Sequence, residues 1–187
     1  ALDAGEDVLD LGSGSGMDAF VAGVHVTETG TVTGIDMTTE QVEKANDLAA
    51  ANSFRNLTFR EGYIEDLPFG DASFDAVISN GVINLSAEKG QVFEEAERVL
   101  RPGGRLALCD IVSETQLPAG IKTDADLWAA CIGGAEQVDS YVSHVESAGL
   151  DLVDIYENTE YEFTSERAAN ACQKYGVKSI TLVASKR

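Results

Sequence analysis

Val8-Leu9-Asp10-Leu11-Gly12-Ser13-Gly14-Ser15-Gly16 is an apolar strand pattern that runs straight into alternating glycines, and the stretch from Met17 to His25 beyond it reads as a helix. Glycine lets the backbone turn sharply and approach a ligand closely, and the carboxyl end of a strand is where open α/β sheets bind ligands. A dinucleotide fingerprint starting at Gly12 needs glycine at position 17, which is Met17, and one starting at Gly14 needs it at 19, which is Ala19. No Gly-Lys-Ser or Gly-Lys-Thr follows the loop, so it is not built for a triphosphate either.

What remains is a nucleoside-bearing ligand of positive or zwitterionic charge, lying over the glycines with the acidic Asp10 beside it. Outward from the loop, Thr31-Val32-Thr33-Gly34-Ile35-Asp36 reads as a second strand ending in an acid 20 residues beyond Gly16. An acid there accepts hydrogen bonds from both hydroxyls of a ribose. Its place after a strand downstream of the glycine loop favours this over a simple turn. Met37 has two open readings, as a residue packed on an adenine face or as core. Thr38 and Gln41 form a capping-box pattern ahead of a helix reaching Ala51.

Beyond this, apolar strand patterns and helical patterns alternate to the end of the chain, the signature of an α/β domain with a largely parallel sheet. Strands are expected at Leu57 to Phe59, Phe74 to Ser79, Arg105 to Val112, Leu150 to Ile155 and Ser179 to Ala184. Helices are expected from Lys89 to Leu100, stopped by Arg101-Pro102-Gly103-Gly104, from Val138 to Ala148 and from Ser165 to Tyr175. Residues 113–137, with Pro118, Trp128 and Gly133-Gly134, read as an insertion of the kind that carries substrate contacts. The chain is expected to be a single domain over 1–187.

The 187 residues carry 32 acidic and 13 basic side chains, a formal charge of −19. That balance opposes nucleic acid or an anionic membrane surface as partner and fits a highly solvated surface suited to concentrated salt. No run reaches the roughly 18 apolar residues of a membrane span. Cys109, Cys131 and Cys172 are an odd number without a CxxC pair, so neither a disulfide framework nor a metal site is encoded. Free thiols in a reducing, cytoplasmic setting are the expectation. His25 and His144 lie on separate helical stretches and read as surface or core residues.

Taken together, Asp10 to Gly16, Asp36, Gly62-Tyr63-Ile64-Glu65-Asp66-Leu67-Pro68-Phe69 and Leu100-Arg101-Pro102-Gly103-Gly104 resemble the class I S-adenosylmethionine-dependent methyltransferases. The resemblance implies a Rossmann-like fold, a seven-stranded mostly parallel sheet with an antiparallel last strand and helices on both faces. It implies S-adenosylmethionine as cofactor, with its amino acid part on Asp10, Gly12, Ser13, Gly14 and Gly16. The ribose then falls on Asp36, the adenine on Met37, Ile64 and Glu65, and Asn80 joins the site from the fourth strand. Tyr63 stands where many members carry an acid. Members also place helices ahead of the first strand, and without them an open cofactor site is expected.

A narrower resemblance lies in Ser79-Asn80-Gly81-Val82-Ile83-Asn84-Leu85-Ser86, Cys109-Asp110-Ile111-Val112 and Asp126-Leu127-Trp128-Ala129-Ala130-Cys131-Ile132-Gly133-Gly134-Ala135, which look like the arsenite methyltransferases. In that family two cysteines hold trivalent arsenic beside the sulfonium methyl group, one after the fourth strand and one in the insertion. Soft thiolates suit such a thiophilic centre. Cys131 matches the insertion cysteine, and a packed residue beside Trp128 is its competing reading. The other position is Gly81 in this chain. Cys109, in an apolar strand, and Cys172, in a late helix, read as small buried hydrophobes.

Three functions follow as expectations. The first is methyl transfer to a small acceptor of the arsenite type, with Cys131 as the reactive thiol. The second is methyl transfer to a quinone-like carbon or oxygen acceptor, and the third is a cofactor-binding module without catalysis.

Overall fold

The computed structural model describes residues 2–163 and 165–187. Seven strands, β1 (Asp7–Leu11), β2 (Thr31–Asp36), β3 (Leu57–Glu61), β4 (Phe74–Asn80), β5 (Leu100–Val112), β6 (Leu150–Glu157) and β7 (Lys178–Lys186), form one sheet in the order β3-β2-β1-β4-β5-β7-β6. The pairs among β3, β2, β1, β4 and β5 are parallel, whereas β7 runs antiparallel to both β5 and β6. The strand order reverses between β1 and β4, and such a switch point opens a crevice at the carboxyl ends of the strands.

Alternation along the strands divides the core. Val8 packs with Val32, Ala76 and the helices α1 (Met17–Val26) and α2 (Thr39–Ala51) on one face. Leu9 and Leu11 pack with α3 (Lys89–Val99) and α6 (Val138–Ser147) on the other. A one-residue slip of β1 would exchange these two sets, so burial on both sides fixes its register. Two short helices, α4 (Ala119–Lys122) and α5 (Ala125–Ala129), lie in the insertion. Leu117, Leu127 and Ile132 of that segment pack against Ala168 and Ala171 of α7 (Glu166–Tyr175), forming a third cluster. The segment leaves and re-enters the fold at one point: Ser113 N donates to Glu136 O at 2.8 Å and Val138 N donates to Ser113 O at 3.1 Å.

Two local expectations need correction. α2 starts after Thr38 as its sequence implies, but no capping box forms: the Thr38 side chain caps nothing, and Gln41 Oε1 accepts from Ser15 Oγ at 2.8 Å. β5 begins at Leu100 rather than Arg105. Leu100 pairs with Phe74, the register breaks, and pairing resumes at Ala76 and Arg105, so the Pro102-Gly103-Gly104 turn ends α3 while remaining inside a bulged strand.

Candidate active site

At the end of β1 the chain turns through Gly12, Gly14 and Gly16, at φ +67°, +51° and +94°. These are left-handed values that L side chains adopt at a cost. The loop is pinned to β2: Ser13 N donates to Ile35 O and Gly14 N to Asp36 Oδ2, both at 2.9 Å. Asp36 Oδ1 accepts from Thr38 N at 2.9 Å, so one half-buried carboxylate joins the glycine loop to the start of α2. A Cβ on Gly12 would collide with the Val82 side chain, and one on Gly16 would come within 2.7 Å of Phe59 Cζ. A Cβ on Gly14 would meet nothing within 4 Å. Gly12 and Gly16 therefore have no room for a side chain, and Gly14 faces open space.

Two buried polar atoms at this loop, Ser13 Oγ and Asp10 Oδ2, have no hydrogen-bond partner. Burial, together with the negative charges of Asp18 and Asp36, raises the Asp10 carboxyl to about 8, against the opposing Ala19 N–H. A dinucleotide or triphosphate would bring more negative charge to this group of acids. A ligand carrying an ammonium and a sulfonium would relieve it, and would supply the donor that Asp10 lacks. The orphaned Asp10 and Ser13 atoms and the open space at Gly14 thus fit S-adenosylmethionine.

The remaining expected cofactor residues lie at or just beyond the carboxyl ends of β2, β3 and β4. Met37 is 69% exposed, which removes its reading as core and leaves its side chain free at the carboxyl end of β2. Ile64 is buried, while Tyr63 beside it is exposed. Glu65 Oε1 accepts from Ser86 Oγ, a bond to the segment after β4. Asn80, exposed at the end of β4, donates through Nδ2 to Asp18 Oδ2 at 3.1 Å.

Directly after β4, Gly81 has φ +67° and Cys131 of the insertion lies against it. Cys131 Sγ donates to Gly81 O at 3.2 Å and is 3.8 Å from where a Cβ on Gly81 would stand. Cys131 itself holds φ +60°, a conformation in which glycine would be unstrained. Burial, followed by the charge of Asp110, raises its thiol above the usual range. Neither of the other two cysteine sulfurs comes within 4 Å of that position, although the Cys109 carbonyl accepts from Gly81 N at 2.8 Å. Cys109 Sγ is 3.2 Å from Thr181 Oγ1, and Cys172 packs against the cluster between α7 and the insertion. His25 is exposed, and His144 Nε2 stands 3.2 Å from Glu136 Oε2. Among the described residues no cluster of three or more His, Cys, Asp or Glu could hold a metal ion.

Sequence reasoning missed the polar group beneath this end of the site. Asp110, buried on β5, accepts from Tyr141 OH at 2.7 Å and from Asn84 N at 2.9 Å. The available signal was an acid inside the apolar run Leu106-Ala107-Leu108-Cys109-Asp110-Ile111-Val112.

Residues 2–159 match the family described as a methyltransferase domain. An arsenite methyltransferase of Halobacterium salinarum is 42% identical over the whole chain, which covers 48% of that protein. The human arsenite methyltransferase is 47% identical over 139 residues, 68% of this chain and 36% of the human one. The crystal structure of an arsenic(III) S-adenosylmethionine methyltransferase from Chlamydomonas reinhardtii superposes with a TM-score of 0.80 at 34% identity, over 97% of this chain and 63% of that one. The chain thus spans about half the length of the Halobacterium relative or less of the human one. No helix among the described residues is long and apolar enough to cross a membrane.

Proposed function

The chain belongs to the family of S-adenosylmethionine-dependent methyltransferase domains, and from that premise we propose that it methylates a small thiophilic acceptor of the arsenite type, with Cys131 as the protein thiol and Gly81 in place of a second one. The contact between Cys131 Sγ and the empty side-chain position of Gly81 carries this reading. A merely packed residue at a left-handed position would be better served by glycine. A cysteine held there retains a thiol at a backbone cost of about 1 kcal/mol.

When bound, S-adenosylmethionine supplies an electrophilic methyl group on a sulfonium that departs as a neutral thioether. Asp10, Ser13 and the Gly14 backbone hold its amino acid part, Asp36 its ribose, and Met37, Ile64 and Glu65 its adenine, with Asn80 closing the β4 side. The Cys131 thiol exchanges onto trivalent arsenic: a sulfur–arsenic bond forms, an arsenic–thiolate bond to a small thiol breaks, and the cysteine proton leaves on the displaced thiol. Arsenic already bears a lone pair, so the acceptor requires no general base, and the residues chiefly supply proximity and orientation. The insertion over 113–137 forms the acceptor side of the site, and the chain acts as one domain.

A second reading follows from the same glycine. The space at Gly81 would admit a flat carbon or oxygen acceptor that two thiols would exclude. Production of S-adenosylhomocysteine, followed with arsenite plus a thiol reductant and separately with quinone and phenol acceptors, distinguishes the two. Turnover with arsenite that is lost in Cys131→Ser supports the first. Turnover only with the other acceptors supports the second, and product binding without any turnover leaves a binding module.

A further inference from the structure

Beneath the acceptor end, a hydrogen-bonded path runs from Asp110, buried on β5, to the backbone carbonyl of Cys131. Asp110 Oδ1 accepts from Ile111 N at 2.8 Å, while Oδ2 accepts from Asn84 N at 2.9 Å and from Tyr141 OH at 2.7 Å. Asn84 is 0% exposed and sits in the 3₁₀ turn Ile83–Leu85 after β4. Its Nδ2 donates to the carbonyl oxygen of Cys131. Gly134 stacks on the same turn so closely that a Cβ there would collide with Asn84 O. The insertion therefore touches the turn after β4 at Asn84, and that contact falls on the residue bearing the thiol.

We propose that Asn84, keyed to the buried Asp110, is a positioning residue that holds Cys131 in its left-handed conformation with the thiol directed at Gly81. The backbone hydrogen bond to Asp110 fixes the turn, and the Nδ2 bond to the carbonyl fixes the cysteine. Left-handed non-glycine backbone persists where its surroundings over-determine it. Here the Asn84 bond adds to the one from Cys131 N to Trp128 O, at 2.9 Å.

The relay also places a carboxylate near the thiol. Asp110 is faced by Tyr141 of α6 and Lys89 of α3, and its charge adds to the larger effect of burial in holding the Cys131 thiol up. Across the cavity that Cys131 lines, the charged and titratable neighbours are Asp126, Tyr161, Glu162 and Arg167. Neutralising Asp110 removes one negative charge near the thiol without altering those groups.

The test is the pH dependence of Cys131 alkylation by iodoacetamide, read by peptide mass spectrometry with the Cys109 and Cys172 peptides as internal references. S-adenosylhomocysteine binding serves as the folding control. In Asn84→Ala the alkylation rate at Cys131 rises about threefold or more with product binding unchanged. In Asp110→Asn the midpoint of its pH profile falls by about half a unit or more. Tyr141→Phe removes a bond to the same carboxylate but not the path to Cys131, and leaves that rate within about twofold, which keeps the test decisive should Asp110→Asn fail to fold. An unchanged Cys131 profile in Asn84→Ala, an equal rise in Tyr141→Phe, or a rise shared by all three peptides overturns the relay.

This inference rests on Cys131 being the acceptor-side thiol, and alkylation keeps the two separable because it needs no methyl transfer. Full activity in Cys131→Ser would overturn the function while the alkylation result still decides the relay.

Discussion

Cys131 Sγ stands 3.8 Å from the position a Cβ on Gly81 would occupy, so the thiol faces a place that glycine leaves empty. Gly81→Cys should therefore create a pair able to chelate a monosubstituted trivalent arsenical, tightening binding of phenylarsine oxide at least about tenfold through the second, intramolecular thiolate. The φ of +67° at this position makes the variant less stable by about 1–2 kcal/mol. Titration in the presence of a competing monothiol checks the gain, and equal affinities in the two proteins would refute the assignment of position 81.

The glycines of the loop should separate in their effects. Gly14→Ala meets open space, so its stability cost is the left-handed backbone alone, about 1 kcal/mol, whereas its new methyl group intrudes where the ligand lies. Binding of S-adenosylhomocysteine should weaken by about tenfold or more. Gly12→Ala collides with Val82 and should cost about 2 kcal/mol or more before any ligand is added. Thermal melts and ligand titrations on both variants test this contrast.

Asp10→Asn should act in opposite directions on stability and on binding. Burial raises this carboxyl to about 8, so an amide that never ionises stabilises the unliganded protein at pH 7–8, by about 1 kcal/mol or more. A neutral amide pairs poorly with an ammonium group, and affinity for S-adenosylmethionine should fall about tenfold or more. Denaturant unfolding and calorimetric titration measure the two effects independently.

The pH dependence of stability has a definite sign. In the unfolded chain Asp10 and Asp110 titrate near pH ~4, but in the fold burial raises them to about 8 and about 6. A raised carboxyl stabilises the folded state at low pH, and that contribution is lost as the pH climbs through the folded value. The carboxyls of Glu6 and Glu95, lowered beside Arg105 and Arg98, and of Asp75, lowered against its burial by the Asp7 N–H and then by Arg101, act oppositely, losing their contribution only below the ordinary carboxylate range. Unliganded protein should therefore melt at a higher temperature at pH 5 than at pH 8. Asp10→Asn should flatten this slope, and an unaltered slope in that variant would assign it to other groups.

Much of this was legible in the chain itself, because the deciding signals are local. The β1 pattern, its glycines and Asp36 specify a strand, a turn and an acid without reference to the rest of the fold, and the alternation of patterns specifies the α/β class. What could not be read arises from contacts between distant residues. Gln41 satisfies a local capping rule, yet Ser15, 26 positions away, takes its side chain. Met37 is apolar and could have been core until the sheet order left it at the rim. The left-handed backbone of Cys131 and its bond from Asn84, 47 positions earlier, depend on how the insertion docks, which no periodicity records.

The most direct measurement is to incubate the protein with S-adenosylmethionine carrying a deuterated methyl group, arsenite and a thiol reductant in high salt, beside Cys131→Ser, and to analyse the arsenic species by mass spectrometry. The account predicts deuteromethylated arsenic from the protein and none from the variant, with S-adenosylhomocysteine bound equally by both. Product binding by both without label on arsenic, or equal labelling in the variant, would contradict it.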